Sequence, residues 1–262
     1  MPEDFEINNA RREELRQTLE KVVATPEEPT LITTIRKGWI SAAKPVLVRA
    51  IDKCEYVVKG KQAGRQIIND RVVAVLGQAM KAPVGEAHLV EISEDLIENY
   101  PEYSYLEVGT AHATKLIPNC WDDSSLLFRN AKSQNRLRFA SLAILYGWMH
   151  ANDHQIICQQ QSPYLVYSVD HGNFFVGGPK WTIESLKTRV GAAEPDSWLL
   201  SKCKLYNLRK EDLQSALTDL KEISEDIIVQ AVSSVPKEWG ISIDERLALV
   251  EYLIQRQNDL LD

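Results

Sequence analysis

Apolar residues recur at helical spacing near the start of the chain, where Leu15, Leu19, Val22 and Val23 share one face behind Asn9, a good helix cap. The pattern stops before Pro26, and TPEEPT reads as a linker. From Leu31 the period shortens. Leu31–Ile35, Val46–Ala50 and Glu55–Lys59 are short and β-rich, and residues 46–59 read as a hairpin. A helix is predicted over Arg65–Met80, with Ile67, Ile68, Val72, Val75, Leu76 and Ala79 on its packing side and Pro83 beyond its end. Ala87–Ile92 is a further strand, Ser93–Glu98 a short helix, and Thr114–Ile117 a last strand before the turn-rich PNCWDDSS. Helical patterns then dominate. Arg138–His150 is apolar almost all round, as a buried helix requires, and residues 208–223 and 225–234 are amphipathic. The final helix opens on the capping box Ser242/Glu245 and runs through Leu247, Val250, Ile254 and Leu261.

These elements predict an α+β, bilobal fold with a β-rich first lobe, a helical second lobe and a cleft between them. The expected organisation is a helix and linker over 1–30, a first lobe over 31–117 and a second over 118–262. The leading helix is expected either on the first lobe or against a partner.

The 262 residues are 44% hydrophobic and 26% charged, an ordinary globular composition that excludes collagen and disordered chains. Thirty Lys and Arg against 37 Asp and Glu give a net charge of −7, which argues against a general nucleic-acid binder. Four cysteines, at 54, 120, 158 and 203, include no CxxC and read as reduced thiols. No secretory leader is visible, and no stretch approaches the roughly 20 apolar residues of a membrane span. The expectation is a soluble cytoplasmic protein.

The stretch HANDHQIICQQQSPYLVYSVDHGNFF carries the candidate chemistry. Ile156–Gln159 and Tyr164–Val169 are strand-like around the turn QSP. With the turn centred between Gln161 and Ser162, Asp153 and Asp170 fall opposite each other at the open end. Neighbouring strands lie about 4.8 Å apart, so such carboxylates repel unless a cation joins them, and hard oxygen ligands suit Mg²⁺ with substrate phosphates. The plainer reading is that Asp153 ends a helix, with Asn152 bracing its loop, and that Asp170 opens a turn. In the first lobe, Lys59 ends the strand YVVK and Asp70 lies on the next helix. A strand-end Lys tied to a helix carboxylate holds ATP phosphates in protein-kinase-like folds. GWISAAKP, with Gly38 and Ser41, is a candidate phosphate-approaching loop but matches neither a Walker A loop nor G-x-G-x-x-G.

The ordered runs GWISAAKPVLV, YVVK (56–59), ND (69–70), APVGEAHLVEI (82–92), ND (152–153), VDHG (169–172), GGPKWT (177–182) and PKEW (236–239) resemble HipA-like kinases. The resemblance implies a protein-kinase-like fold that binds ATP and Mg²⁺ and phosphorylates Ser or Thr of a protein, or another hydroxyl acceptor. It further implies Lys59 at the α/β-phosphates, Ser41 in the covering loop, and Leu116 and Ile117 near the adenine hinge. Asp153 would be the catalytic base and Asp170 the metal ligand. Two departures stand out. Asp70 replaces the usual Glu, one methylene shorter, and Cys158 stands where a kinase carries a metal-binding Asn, a soft thiol poorly suited to Mg²⁺.

Two other functions remain open on the sequence. One is a non-catalytic nucleotide-binding regulator on the same fold. The other is a metal-dependent phosphohydrolase using Asp153–His154, Asp170–His171 and His150. Trp121, Trp148, Trp181, Trp198 and Trp239 are expected to pack helix ends and lobes.

Overall fold

The computed structural model describes residues 9–23, 27–122, 133–188, 191–203 and 208–262. Part of the TPEEPT linker and Asp123–Ser125 of PNCWDDSS lie outside these residues.

Five strands, β1 (Thr30–Gly38), β2 (Val46–Ala50), β3 (Glu55–Lys59), β4 (Ala87–Ile92) and β5 (Gly109–Lys115), close into a barrel in the order β1-β2-β3-β5-β4. Closure comes from a parallel contact of β1 with β4; the other pairs are antiparallel. Alternation sorts the β3 side chains. Tyr56 and Val58 fill the barrel with Val46, Val48, Val90, Ile92, Ala111 and Ala113. Lys59, next in the alternation, therefore faces outward, paired in register with His112.

The last barrel strand starts five residues earlier than the sequence pattern predicts and ends before Leu116. GTAHATK has little β-branched character, but Ala111 and Ala113 are fully buried and fit a narrow five-stranded interior. Pairing on both sides, with β3 and β4, overrides local propensity.

Helix α1 (Asn9–Val23) buries Leu15, Leu19 and Val23, leaving Val22 half-buried. Helix α2 (Gln66–Ala79) is buried on nearly every side, with Ile68, Val72, Val73 and Leu76 at 0% exposure. Its apolar residues join the core shared with the later helices, and it also packs against β4 and β5 of the barrel. After α3 (Glu94–Asn99) and β5 comes a small antiparallel sheet, β6 (Cys120–Trp121), β7 (Ile156–Gln159) and β8 (Val166–Ser168). The remaining helices are α4 (Ser133–Met149), α5 (Ile183–Lys187), α6 (Ser197–Cys203), α7 (Lys210–Lys221), α8 (Glu225–Ser233) and α9 (Ile243–Leu261). Ser242 and Glu245 form the expected capping box on α9. A side chain at Gly147 on α4 would meet the Glu194 carbonyl oxygen at 2.0 Å, so this helix needs glycine to accept the 194–195 backbone. None of the described helices is long and apolar enough to cross a membrane.

Helix α1 packs mainly on α8 and α9, in the helical part of the chain, and not on the first lobe, one of its two expected places, the other being a partner. Arg11–Glu225, Arg12–Glu251 and Arg16–Asp244 ion pairs fix it there. Glu27, just beyond it, accepts a 2.5 Å bond from the buried Arg71 guanidinium of α2. The PKEW run also bridges the chain: Trp239 donates to the Thr110 carbonyl of β5 at 2.9 Å, and Glu238 accepts the Thr110 N–H at 2.8 Å. Trp148, Trp181 and Trp239 are buried as expected, whereas Trp121 and Trp198 are 55% and 39% exposed.

Candidate active site

Lys59 leaves the barrel wall toward α2 and is 6% exposed. Its Nζ lies 2.9 Å from Asp70 Oδ2 and 2.6 Å from Asp170 Oδ1. The shorter Asp70 thus reaches the lysine without difficulty. Burial disfavours the Lys59 ammonium, but the two carboxylates outweigh it and raise its pKa above the ordinary value.

Asp170 reaches Lys59 because the chain turns left-handed there, at φ 58°. The β7–β8 register pairs Ile156 with Ser168 and Cys158 with Val166, and Val169 still donates to Gln155. Carried outward, this register sets His171, not Asp170, across from Asp153, one residue from the symmetric expectation. The turn is therefore centred on Ser162, one half-step further along, and the Gln160 N–H is given to Asn119 O beside β6 instead of to the hairpin partner. Asp170 is directed by its own turn instead of by the ladder.

Asp70 Oδ1 accepts the His171 N–H at 2.6 Å, so α2 grips the turn that follows Asp170. The His171 ring is buried and bonds Ser168 Oγ at 2.8 Å, which in turn meets Tyr146 OH at 2.6 Å. Burial pushes the His171 pKa down to about 4, against the pull of Asp70. His112, behind Lys59, is driven well below the ordinary histidine value by burial and by the nearby Arg71 and Lys59 charges. A Cβ on Gly172 would lie 2.8 Å from Gln66 Cβ, so only glycine lets the turn lie this close to α2.

Asp153 is exposed, and its Oδ1 accepts the His154 N–H at 2.8 Å. It is joined to the Asp170 segment by an Ala151–Phe174 bridge and by Asn152. The His154 ring points elsewhere, to Asp196 Oδ2 at 3.0 Å, and stacks on Trp198 at 4.5 Å. With His171 turned to Ser168, neither His154 nor His171 directs its ring at Asp153 or Asp170 as a phosphohydrolase would need. Among the described residues no three His, Cys, Asp or Glu side chains form a metal cage.

That leaves the donor set of a phosphate-assisted site. Asp170 keeps 35% of its side chain exposed beside Lys59, which suits Mg²⁺, an ion usually held by one or two carboxylates with phosphates and waters. Cys158 does not contribute. It is 1% exposed, its Sγ approaches the Tyr164 carbonyl at 3.3 Å, and burial raises its pKa. The Gln155 amide is turned to Asp122 Oδ2 at 3.3 Å.

Ser41 lies on the exposed β1–β2 loop, which Gln62 ties to the segment after Lys59 by donating to the Ala43 and Lys44 carbonyls at 3.2 and 3.4 Å. Leu116 and Ile117 are half-buried just past β5, with the Leu116 N–H on Glu55 O at the far end of β3. The structure therefore brings Lys59, Asp70 and Asp170 into direct contact. Asp153 joins them through backbone, while Ser41, Leu116 and Ile117 flank β3. The roles of Asn69 and Trp181 escaped the residue pattern: Trp181 Nε1 donates to Asn69 Oδ1 at 2.9 Å, and Asn69 holds the Asp170 segment. The repeated Asn-Asp pair was the available signal.

A family model described as HipA-like kinase matches residues 31–262. The chain resembles the crystal structure of CtkA, a proinflammatory kinase of Helicobacter pylori, with a TM-score of 0.59 and 10% identity over 89% of this chain and 94% of that one. Structures of the Golgi casein kinase, one with Mn/ADP bound, match at TM-scores of 0.47 and 0.48, with 10% and 9% identity over 95% of this chain and 76% of theirs. No curated protein matches.

Proposed function

The chain belongs to the HipA-like kinase family, and we propose that it is a cytoplasmic, bilobal kinase that transfers the γ-phosphoryl group of Mg·ATP to Ser or Thr of a protein or to another hydroxyl acceptor. One observation carries this reading: a buried lysine from the barrel wall bonded at once to a helix carboxylate and to the carboxylate of the VDHG turn. Kinases need this pairing of strand lysine with helix acid, and a second acid for the metal, because catalysis of phosphoryl transfer is mostly positioning and charge neutralisation.

In this reading residues 31–117 form the first lobe, 118–262 the second, and the nucleotide lies between them. Lys59 binds the α/β-phosphates, steered by Asp70. The Ser41 loop covers the phosphates, and Leu116 and Ile117 border the adenine. Asp170, with the phosphates, would hold Mg²⁺, which neutralises charge on the transferred group when bound. Asp153 orients the acceptor hydroxyl and takes its proton.

The buried thiol at Cys158, in place of a metal-binding amide, favours one second reading, a nucleotide-binding regulator without turnover. Incubation with γ-labelled ATP and Mg²⁺, alongside calorimetric titration, separates the two. An active kinase labels itself or an added protein, and Asp153→Asn abolishes the label while retaining nucleotide affinity. Binding without label supports the regulator. Absence of both binding and label in the wild type would reject the nucleotide assignment altogether.

A further inference from the structure

Two asparagines stand immediately before two of the acids, Asn69 before Asp70 and Asn152 before Asp153, and both reach the same strip of backbone. Asn69 is fully buried and donates its two amide hydrogens to Gly172 O and Phe174 O, each at 2.9 Å. Asn152 donates its two to Asn173 O at 2.9 Å and Phe175 O at 2.8 Å. Four consecutive carbonyls are thus taken alternately from two sides. Asn69 is itself fixed by the Trp181 indole on its Oδ1, so that both of its N–H donors and its carbonyl oxygen are engaged. The strip begins just after Asp170 and includes Phe174 and Phe175, buried at 1% and 0% exposure.

We propose that Asn69 and Asn152 are positioning residues forming a two-sided clamp that holds residues 172–175 in a single arrangement, so that Asp70, Asp153 and Asp170 keep one mutual registry. The inference rests on the kinase reading above, since the registry matters only if these acids serve one nucleotide. Each Asn-Asp pair then divides the work: the acid faces the reaction or its lysine, and the amide holds the backbone bearing the metal ligand. Moving the 172–175 strip with Asp170 breaks these four bonds and strands the buried Asn69 amide without its two acceptors. The turn after Asp170 is accordingly a fixed part of the site and not a switch.

The test uses full-length wild type, Asn152→Ala, Asn69→Ala and the double variant. Asn152 is exposed, so Asn152→Ala keeps the fold and decides the matter alone if the Asn69 variants fail to fold. Amide exchange over residues 170–176 is measured in metal-free protein, Mn²⁺ affinity by titration in the presence of ADP, and kcat and KM for ATP by phosphate transfer. Loss of two hydrogen bonds in Asn152→Ala is expected to speed exchange of this segment by about tenfold or more. Mn²⁺ affinity falls about ten- to a hundredfold, the usual range when a group orienting a metal ligand is lost. Affinity for ADP without metal stays at the wild-type value, and the lost rate appears in kcat. The double variant falls short of the sum of the singles, because both act on one segment. Wild-type exchange and Mn²⁺ affinity in Asn152→Ala overturn the clamp. If wild type itself binds no Mn²⁺ with ADP, the kinase reading falls and takes the inference with it.

Discussion

Replacing Lys59 by methionine removes the one cation between two carboxylates while nearly conserving the length of the side chain. Lys59 and Asp70 are 6% and 3% exposed, so the variant leaves a carboxylate buried with the His171 N–H as its remaining donor. Stranding one partner of a buried ion pair costs about 3–5 kcal/mol. Asp170, with 35% of its side chain exposed, adds little because solvent screens it. Lys59→Met is therefore expected to lower unfolding free energy by about 3 kcal/mol or slightly more at pH 7. Lys59→Met/Asp70→Leu leaves no uncompensated buried charge and should recover to within about 1–2 kcal/mol of wild type, the residue being the orphaned His171 N–H. Urea unfolding followed by fluorescence of the buried Trp148, Trp181 and Trp239 measures all three proteins. The reasoning fails if the single variant loses less than about 1 kcal/mol, or if the double variant is no more stable than the single.

Three further outcomes follow from the packing. His171 is neutral in the fold down to about pH 4 but titrates near 6.5 when unfolded, so the unfolded chain takes up the proton first. Its stabilising share is complete above the unfolded value and is lost as pH falls toward the folded one, about 3 kcal/mol in all. Buried His112 acts in the same direction. Unfolding free energy measured from pH 7 to 4 should fall less steeply for His171→Gln than for wild type; parallel profiles would contradict the assignment. Gly147→Ala forces a methyl against the Glu194 carbonyl and should cost about 1–3 kcal/mol, seen by calorimetry as a Tm lower by roughly 2–4 °C per kcal/mol. Ser242→Ala removes the cap accepted from Glu245 N–H and should cost about 1 kcal/mol in the same scan.

Periodicity made most elements legible. The hairpin of β2 and β3, the apolar packing side of α2, the almost wholly apolar second half of α4 and the capping box of α9 all carry local signals strong enough to survive folding. At β5, where the pattern misled, a distant partner had decided. β5 is a strand because β3 and β4 flank it, and its alanines read as weak strand formers until the barrel interior is known. The β7–β8 register is centred on Ser162, and the apolar alternation of the two short strands does not separate that centre from its neighbour half a step away. The candidate site was legible as residue types, Lys59, Asp70 and Asp170, because ion-pair chemistry restricts what can sit there. Their geometry was not, since Asp170 reaches Lys59 through a left-handed turn that leaves no periodic trace in the sequence. Leu116 and Ile117 sit past the end of β5, outside the strand that the pattern predicts to include them.

The family match begins at residue 31, yet the ion pairs of α1 and the Glu27–Arg71 bond tie the preceding residues to α2, α8 and α9. A recombinant fragment trimmed to the matched span would strip the cover from two C-terminal helices and leave the buried Arg71 guanidinium without its counter-charge. Poor behaviour of such a fragment would say more about where the cut was made than about the enzyme.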